Sequence, residues 1–276
     1  MTSSTTEVLG DEVDSALDRL RSELRDLDAV VVAFSGGADS AFLAYVARDV
    51  LAEHAVAVTA VSPSLAGRER DDCAALASEW SLEWIEVATA ELDDDEYVRN
   101  DADRCFRCKT ALMDVVEPMA ADRGAVVVLG VNLDDLDDHR PGQRAASERG
   151  ARFPLVDSGF TKAMVRDASK RLGLRTWDKP AAACLSSRVP YGTAVTVGVL
   201  SRVERAEAAL HALGFSALRV RHYDDTARIE VPVEELPAVV DARADVVAAV
   251  RSSGYTYVTV DLEGLRSGNL NDALDR

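Results

Sequence analysis

An apolar run, Ala29-Val30-Val31-Val32-Ala33-Phe34, leads straight into Ser35-Gly36-Gly37-Ala38-Asp39-Ser40, and a helix-like stretch beginning Ser40-Ala41-Phe42-Leu43-Ala44-Tyr45 follows at once. Few patterns narrow the choice of fold as much. The run reads as a buried strand, and the bend after it leaves backbone N–H groups unpaired at a helix N-terminus, where the dipole favours negative charge. Gly36 and Gly37 carry no Cβ, so the backbone can approach a phosphate closely. Ser35 and Ser40 add hydroxyl donors. The motif lacks a Lys-Ser/Thr end, which excludes a Walker A loop, and it is not G-x-G-x-x-G. The competing reading is a serine-glycine turn that only starts a helix.

The alternation begun there continues. Val13, Leu17, Leu20, Leu24 and Leu27 have helical spacing across 11–27. Strands are predicted over 29–34, 56–61, 84–87 and 125–131, and helices over 40–53, 68–80, 109–123 and 161–172. Continuous apolar strands separated by amphipathic helices indicate an α/β fold with a doubly wound parallel sheet. Such sheets bind ligands at the carboxyl ends of their strands, and the Ser35 loop lies at one. Trp177-Asp178-Lys179-Pro180 breaks the pattern, so the chain is divided into 1–178 and 179–276. The second part reads as a smaller C-terminal α+β domain: a helix over 195–213, paired strands over 217–222 and 227–231, a helical stretch of one helix or two over 234–253 and a closing strand over 255–261.

The chain has 276 residues, enough for a sizeable core in two domains. No apolar run approaches the roughly 18 residues of a membrane span. The N-terminus has no basic segment followed by an apolar one, so no signal peptide is expected and the cytoplasm is the expected location. A formal net charge of -17 with no basic block argues against tRNA or DNA as a partner. Four cysteines are too few and too unevenly spaced for a disulfide scaffold, and read as metal, catalytic or core positions.

Several constellations carry chemistry. S-G-G-x-D-S after a strand resembles the PP-loop of the ATP pyrophosphatase superfamily, which cleaves ATP between its α and β phosphates, leaves AMP on an acceptor oxygen and releases pyrophosphate. Gly130-Val131-Asn132-Leu133-Asp134-Asp135 follows the 125–131 strand and reaches the same rim. Its carboxylates suit Mg²⁺, or they form a solvated acidic loop capping a helix. Asp39, inside the loop itself, is the better Mg²⁺ candidate and Asp135 the second. Arg140 suits bidentate pairing with a phosphate, or is a surface arginine. Cys105-Phe106-Arg107-Cys108-Lys109 is a C-x-x-C at a predicted helix start, flanked by cations that would lower the thiol pKa values. It reads as a redox dithiol, as two ligands of a metal or iron–sulfur cluster, or as buried apolar residues. The run from Lys179 to Gly192 holds Cys184 in a proline-braced loop, with Arg188 placed to favour its thiolate. The alternative there is a cysteine packed at a domain junction. Cys73, among alanines and a leucine, is read as core.

Together, S-G-G-x-D-S, R-C-x-x-C-K, G-x-N-x-D-D-x-x-D-x-R-P-G and K-P-x-x-A-C-L-S-S-R-x-P-Y-G resemble one PP-loop family, the ATP-dependent sacrificial sulfur transferases of the LarE type, over about residues 28 to 268. The resemblance implies an adenine nucleotide alpha hydrolase-like fold and a role in nickel-pincer nucleotide cofactor synthesis, the cofactor of lactate racemase. It implies ATP, with Ser35, Gly36, Gly37, Asp39, Ser40, Asn132 and Arg140 around it. ATP adenylates a carboxylate of pyridinium-3,5-biscarboxylic acid mononucleotide, and a sulfur nucleophile displaces AMP to give a thiocarboxylate. In the single-cysteine branch the residue at the position of Cys184 attacks and loses its sulfur, leaving dehydroalanine. In a three-cysteine branch, which Cys105, Cys108 and Cys184 match, a [4Fe-4S] cluster carries a spare sulfide. Cys184, Asp39 and Arg188 are the expected catalytic residues, and Arg219, Arg221 and Arg266, with Arg188, are candidates for the substrate phosphate. A sulfur donor and a homo-oligomeric state are also implied, without nucleic acid or membrane. The rival readings are another PP-loop adenylating enzyme (a tRNA thiolase or an ammonia-dependent amide synthetase) and a non-enzymatic adenine-nucleotide-binding module.

Overall fold

The computed structural model describes residues 2–136, 141–180 and 183–266. They form two compact units, the first comprising Met1–Ser62, Gly67–Ala90 and Cys105–Ala182, the second Pro63–Ala66, Glu91–Arg104 and Ala183–Arg276. No described helix is long and apolar enough to cross a membrane.

The first unit runs α1 (Thr2–Asp26), β1 (Val30–Ala33), α2 (Ala38–Leu51), β2 (Ala55–Val61), α3 (Gly67–Glu79) and β3 (Glu83–Ala88). The short helix α4 (Asp95–Val98) belongs to the second unit. The first then resumes with α5 (Arg104–Asp122, whose first residue is counted with the second unit), β4 (Val126–Leu129), α6 (Pro141–Glu148), α7 (Pro154–Asp157) and α8 (Lys162–Arg171). Its strands make one parallel sheet in the order β3-β2-β1-β4, with Val30 opposite both Ala55 and Val126.

The period of two along each strand divides the valines between two cores. Val30, Val32, Ala55, Ala57 and Val128 pack with Leu20 and Leu24 of α1, Phe42 and Leu43 of α2 and Val165 of α8. Val31, Val56, Val58, Val127 and Leu129 pack on the other face with Met113, Val116 and Ala120 of α5. The sheet is therefore wound on both sides, as the unbroken apolar runs predict. Each buried valine or leucine contributes about 1.5–3 kcal/mol relative to an exposed one. Because β2 and β3 lie on one side of β1 and β4 on the other, the strand order reverses between β1 and β4. The crevice outside the carboxyl ends of those two strands is where such sheets take ligands.

The second unit continues with α9 (Val197–Ala212), β5 (Arg219–Tyr223), β6 (Thr226–Glu230), α10 (Leu236–Asp241), α11 (Arg243–Ser252) and β7 (Tyr257–Val260). β5 and β6 form the expected hairpin, turning through Asp224 at φ 50°, and β7 pairs parallel to β6 after the α10–α11 crossover. Val220, Ala227 and Ile229 pack on Ala206 and Leu210 of α9 and on Val246 and Val250 of α11. Their neighbours Arg219, Arg221, Arg228 and Glu230 line the opposite face.

Several elements differ from the sequence reading: α1 starts at Thr2, and α4, α6 and α7 lie in stretches to which it assigned no element. The helix predicted from Lys109 begins at Arg104, because its first turns are polar and show no apolar period before Leu112. The stretch over 234–253, open between one helix and two in the sequence, is two: α10 and α11 meet at Ala242.

Candidate functional site

The Ser35 loop stands at the carboxyl end of β1, in the first unit. Gly36 takes φ 66°, and a Cβ there would lie 2.9 Å from Cys73 Sγ, so this position requires glycine on two counts. Gly37 is the N-cap of α2 and offers no side chain to the first-turn N–H groups. The Ser40 hydroxyl closes the loop from inside: it donates to the Gly37 carbonyl at 3.2 Å and lies 3.3 Å from Ser35 N and 3.1 Å from Ser35 Oγ. Ser35 faces solvent while Ser40 is buried. Of the two hydroxyls proposed as ligand donors, the one facing outward is Ser35.

Asp39 sits on the first turn of α2. Its Oδ1 accepts from Asn132 Nδ2 at 3.1 Å, which joins the turn after β4 to the loop after β1. Gly130 makes the approach possible: a Cβ there would come within 2.7 Å of Ser40 N and 2.9 Å of Asp39 C. Burial raises the Asp39 carboxyl above its ordinary value and the Asp135 charge adds to this, while Lys162 and the Asn132 hydrogen bond oppose it. Asp135 is buried and its Oδ2 accepts from Asn132 N at 3.3 Å. Lys162, at the start of α8, donates its backbone N–H to Asp134 Oδ2 at 2.5 Å. The crevice thus collects two carboxylates and one lysine from three segments. Lys162 and Gly130 were not singled out from the sequence. An isolated lysine at a helix start carries no periodic signal, and Gly130 was read only as part of a motif.

Cys184 lies in the second unit, exposed, at the N-cap of a 3₁₀ turn over Leu185–Arg188. The upstream segments of that unit pin this turn. Ser186 Oγ lies 2.7 Å from Tyr97 Oη and 3.0 Å from Ser64 Oγ, with Ser64 Oγ and Tyr97 Oη 2.8 Å apart. Leu185 N donates to Ser64 O, and Arg104 Nη1 to Ser186 O at 2.9 Å. Asn100, held at φ 64°, donates its amide to the carbonyls of Val189, Pro190 and Thr193. These hydrogen bonds satisfy buried backbone groups that a loop would otherwise leave unpaired.

Arg188 is buried and grips Glu207 with two bonds, Nε–Oε1 at 2.9 Å and Nη2–Oε2 at 3.2 Å. Its Nη1 donates to the carbonyls of Ala183, at 2.5 Å, and Cys184, at 3.1 Å. Arg221 makes the same fork with Glu230, at 2.9 and 2.8 Å, and reaches Ser187 O at 2.7 Å. Burial, with Arg188 and Arg221 beside it, pushes the Arg219 guanidinium below its ordinary value. Arg219 Nη1 donates to Arg266 O at 3.0 Å, and the Arg266 side chain pairs with Glu263. Arg228 also reaches Glu230, at 3.1 Å, so four guanidiniums, Arg188, Arg219, Arg221 and Arg228, gather around the buried carboxylates of Glu207 and Glu230, a cluster of positive groups suited to an anion.

No protein-family model matches the chain. Over 259 residues it is 38% identical to the pyridinium-3,5-bisthiocarboxylic acid mononucleotide synthase of Lactiplantibacillus plantarum, across 93% of this chain and 94% of that protein. The chain belongs to the LarE family of pyridinium-3,5-bisthiocarboxylic acid mononucleotide synthases. An uncharacterized Synechocystis protein is 45% identical over 272 residues, 96% of this chain and 100% of that protein. A Methanocaldococcus jannaschii protein, also uncharacterized, is 24% identical over 239 residues, 86% of this chain and 91% of that protein.

Among the residues this LarE family member was expected to use, Arg140 lies outside the described residues. Cys105 and Cys108 occupy the first turns of α5 in the first unit, Cys105 exposed and Cys108 half-buried. Burial lowers the Lys109 ammonium below its ordinary value, the two neighbouring cysteines opposing it. Cys73 is fully buried, and burial raises its thiol to about 11, in keeping with a core role. Among the described residues no group of three or more His, Cys, Asp or Glu side chains is arranged to hold a metal ion.

Proposed function

We propose that this chain catalyses ATP-dependent sulfur insertion in nickel-pincer nucleotide cofactor biosynthesis. Its substrate is pyridinium-3,5-biscarboxylic acid mononucleotide and its product the corresponding thiocarboxylate. The observation that carries this reading is the identity with a named thiocarboxylate synthase over nearly the full length of both chains. The convergence of the Ser35 loop and the Asn132 turn on Asp39 at the switch point supports it independently.

ATP binds against the N-terminus of α2, where Gly36 and Gly37 let the loop backbone close on the phosphates and Ser35 donates from the outer side. A substrate carboxylate oxygen attacks the α-phosphorus and pyrophosphate leaves. Lys162 offsets the charge of the departing phosphates. The acyl-adenylate turns the carboxyl carbon into an electrophile with AMP as leaving group. The Cys184 thiolate attacks that carbon and AMP departs, giving a thioester. Loss of the Cys184 Cα proton with cleavage of its Cβ–S bond leaves dehydroalanine and releases the thiocarboxylate. Arg188 orients the Cys184 turn through two carbonyls, and Arg219 is the guanidinium best suited to the substrate phosphate.

Two bound groups belong to this reading. Asp39 and Asp135 supply hard oxygen ligands for Mg²⁺, which would neutralise the polyphosphate. The thiolates of Cys105, Cys108 and Cys184 suit a [4Fe-4S] cluster, which would supply sulfide in place of the Cys184 sulfur when bound. The donor chemistry fits a cluster, and among the described residues no third Cys, His, Asp or Glu side chain joins Cys105 and Cys108 in a ligand group.

The deciding experiment is anaerobic incubation with ATP, Mg²⁺ and the pyridinium dicarboxylate nucleotide, followed by mass spectrometry of protein and product. Thiocarboxylate formation with stoichiometric AMP is expected. Loss of the elements of hydrogen sulfide from Cys184 identifies it as donor. Unmodified Cys184 with about four irons per chain assigns the sulfide to a cluster. Pyrophosphate release that ignores the carboxylate substrate overturns the reading, and nucleotide binding without turnover supports a sensor.

A further inference from the structure

The phosphate loop has an underside as well as a ligand face. On that underside Lys179 Nζ lies 3.1 Å from the Gly36 carbonyl oxygen, 2.8 Å from Glu69 Oε2 and 2.6 Å from Asp72 Oδ2. Glu69 and Asp72 both belong to α3. Asp72 is held in turn by Arg175, whose Nη1 lies 2.6 Å from its Oδ1, and Arg175 Nε reaches Glu79 Oε2 at 3.2 Å. Although burial works against it, the hydrogen bonds it donates to Asp72 and Glu69 hold the lysine above its ordinary value, so it is charged at neutral pH.

An ammonium has three donors and no acceptor. Three acceptors surround Lys179, which leaves none for a phosphate oxygen. The lysine is placed to act on the loop instead of on the nucleotide. The peptide following Gly36 is trans, so its C=O and N–H point in opposite directions. With the Gly36 oxygen drawn toward Lys179, the Gly37 N–H is turned the other way, and Gly37, unlike Gly36, is partly exposed. The loop has no slack on its underside, since a Cβ at Gly36 would meet Cys73 Sγ at 2.9 Å.

We propose that Lys179 is a positioning residue for adenylation: by gripping the Gly36 carbonyl it aims the Gly37 N–H at the ATP phosphates and, by polarising that peptide, strengthens the donor. This rests on the assignment of ATP to the Ser35 loop. Transition-state charge develops on the phosphates as pyrophosphate leaves, so a correctly aimed donor acts more on turnover than on ground-state binding.

The test compares Lys179→Met, which keeps the apolar stem and removes the charge, with Lys179→Arg and with Glu79→Gln at the outer edge of the ion-pair chain. Substrate-dependent pyrophosphate release by Lys179→Met is expected to fall about 100-fold in kcat, with the KM for ATP changing by less than about threefold. Lys179→Arg, whose planar fork does not match three acceptors around a point charge, is expected to retain about a tenth of kcat. Glu79→Gln keeps full turnover. The Gly37 amide resonance of isotope-labelled protein, recorded without nucleotide, moves in Lys179→Met and holds in Glu79→Gln. A Lys179→Met protein with an altered melting temperature but wild-type kcat and an unmoved Gly37 resonance overturns the proposal. If Lys179→Met does not fold, Lys179→Arg decides by the same two readouts. Wild-type protein that releases no pyrophosphate sinks the ATP assignment, whereas wild-type turnover with an unimpaired Lys179→Met sinks the lysine's role alone.

Discussion

The side-chain amide of Asn132 donates to the carboxylate of Asp39 at 3.1 Å, tying the turn after β4 to the first turn of α2 across 93 residues of sequence. It closes the switch point of the sheet with one hydrogen bond between two residues that each stand next to the proposed phosphate site.

Asp39 carries a conflict between stability and function. Burial raises its pKa above the ordinary carboxylate value. The folded state therefore binds its proton more tightly than the unfolded chain does, and the associated stability, present in acid, is lost as pH rises through the raised value. Asp39→Asn keeps an acceptor for Asn132 and removes the charge. It is expected to abolish AMP formation while stabilising the metal-free protein at neutral pH by about 0.5–1 kcal/mol. Thermal melts of both proteins from acid to neutral pH check this. An equal or lower midpoint for the variant at neutral pH counts against it.

Gly130 has no room for a side chain, because the atoms it would meet are backbone of Ser40 and Asp39. Gly130→Ala must push the first turn of α2 out of place. A displacement of the order of 1 Å at a reacting group costs about 100-fold in rate, so pyrophosphate release should fall by that factor in soluble, folded protein. A steady-state assay with a circular-dichroism control checks it.

Arg188 and Glu207 form a buried fork that also holds the carbonyls of Ala183 and Cys184. Arg188→Lys cannot reproduce the fork. It is expected to leave pyrophosphate release within about threefold of wild type and to lower thiocarboxylate yield at least tenfold, since the Cys184 turn loses its brace while the Ser35 loop keeps all its partners. Measuring both products from one reaction tests the split; a parallel loss of both would mean that the two half-reactions share this residue.

Arg221 and Arg219 should behave differently although two residues apart. Arg221→Ala strands Glu230, which is wholly buried, with Arg228 as a partner at 3.1 Å. Removing one member of a buried pair costs about 3–5 kcal/mol, so denaturant melts should show a large loss of stability. Arg219→Ala relieves repulsion from Arg188 and Arg221 while leaving the Arg188–Glu207 and Arg221–Glu230 forks in place. It should fold normally and raise the KM for the pyridinium nucleotide about tenfold, with ATP binding unchanged. An unaltered KM would remove Arg219 from the phosphate site.

Much of the protein was legible before any coordinates. The valine runs of β1, β2 and β4 carry a doubly wound sheet because a strand covered on both faces has no polar positions to interrupt it, and the glycine bend after β1 marks a strand–loop–helix junction by stereochemistry alone. The 223–225 turn and its flanking alternation gave the hairpin of the second unit. These signals are local, or periodic along one element, and a sequence displays them directly. What only tertiary structure decided is partnership. Segments 63–66 and 91–104 join the second unit because Ser64, Tyr97, Asn100 and Arg104 satisfy the backbone and hydroxyls of the Cys184 turn. Arg188 and Arg221, read from the sequence as facing a thiolate and a phosphate, are forked onto Glu207 and Glu230. A guanidinium or an ammonium looks the same in sequence whether it is open or engaged. Charge pairing among residues far apart in the chain has no period, and burial, which makes an unpaired charge costly, is a property of the packed fold.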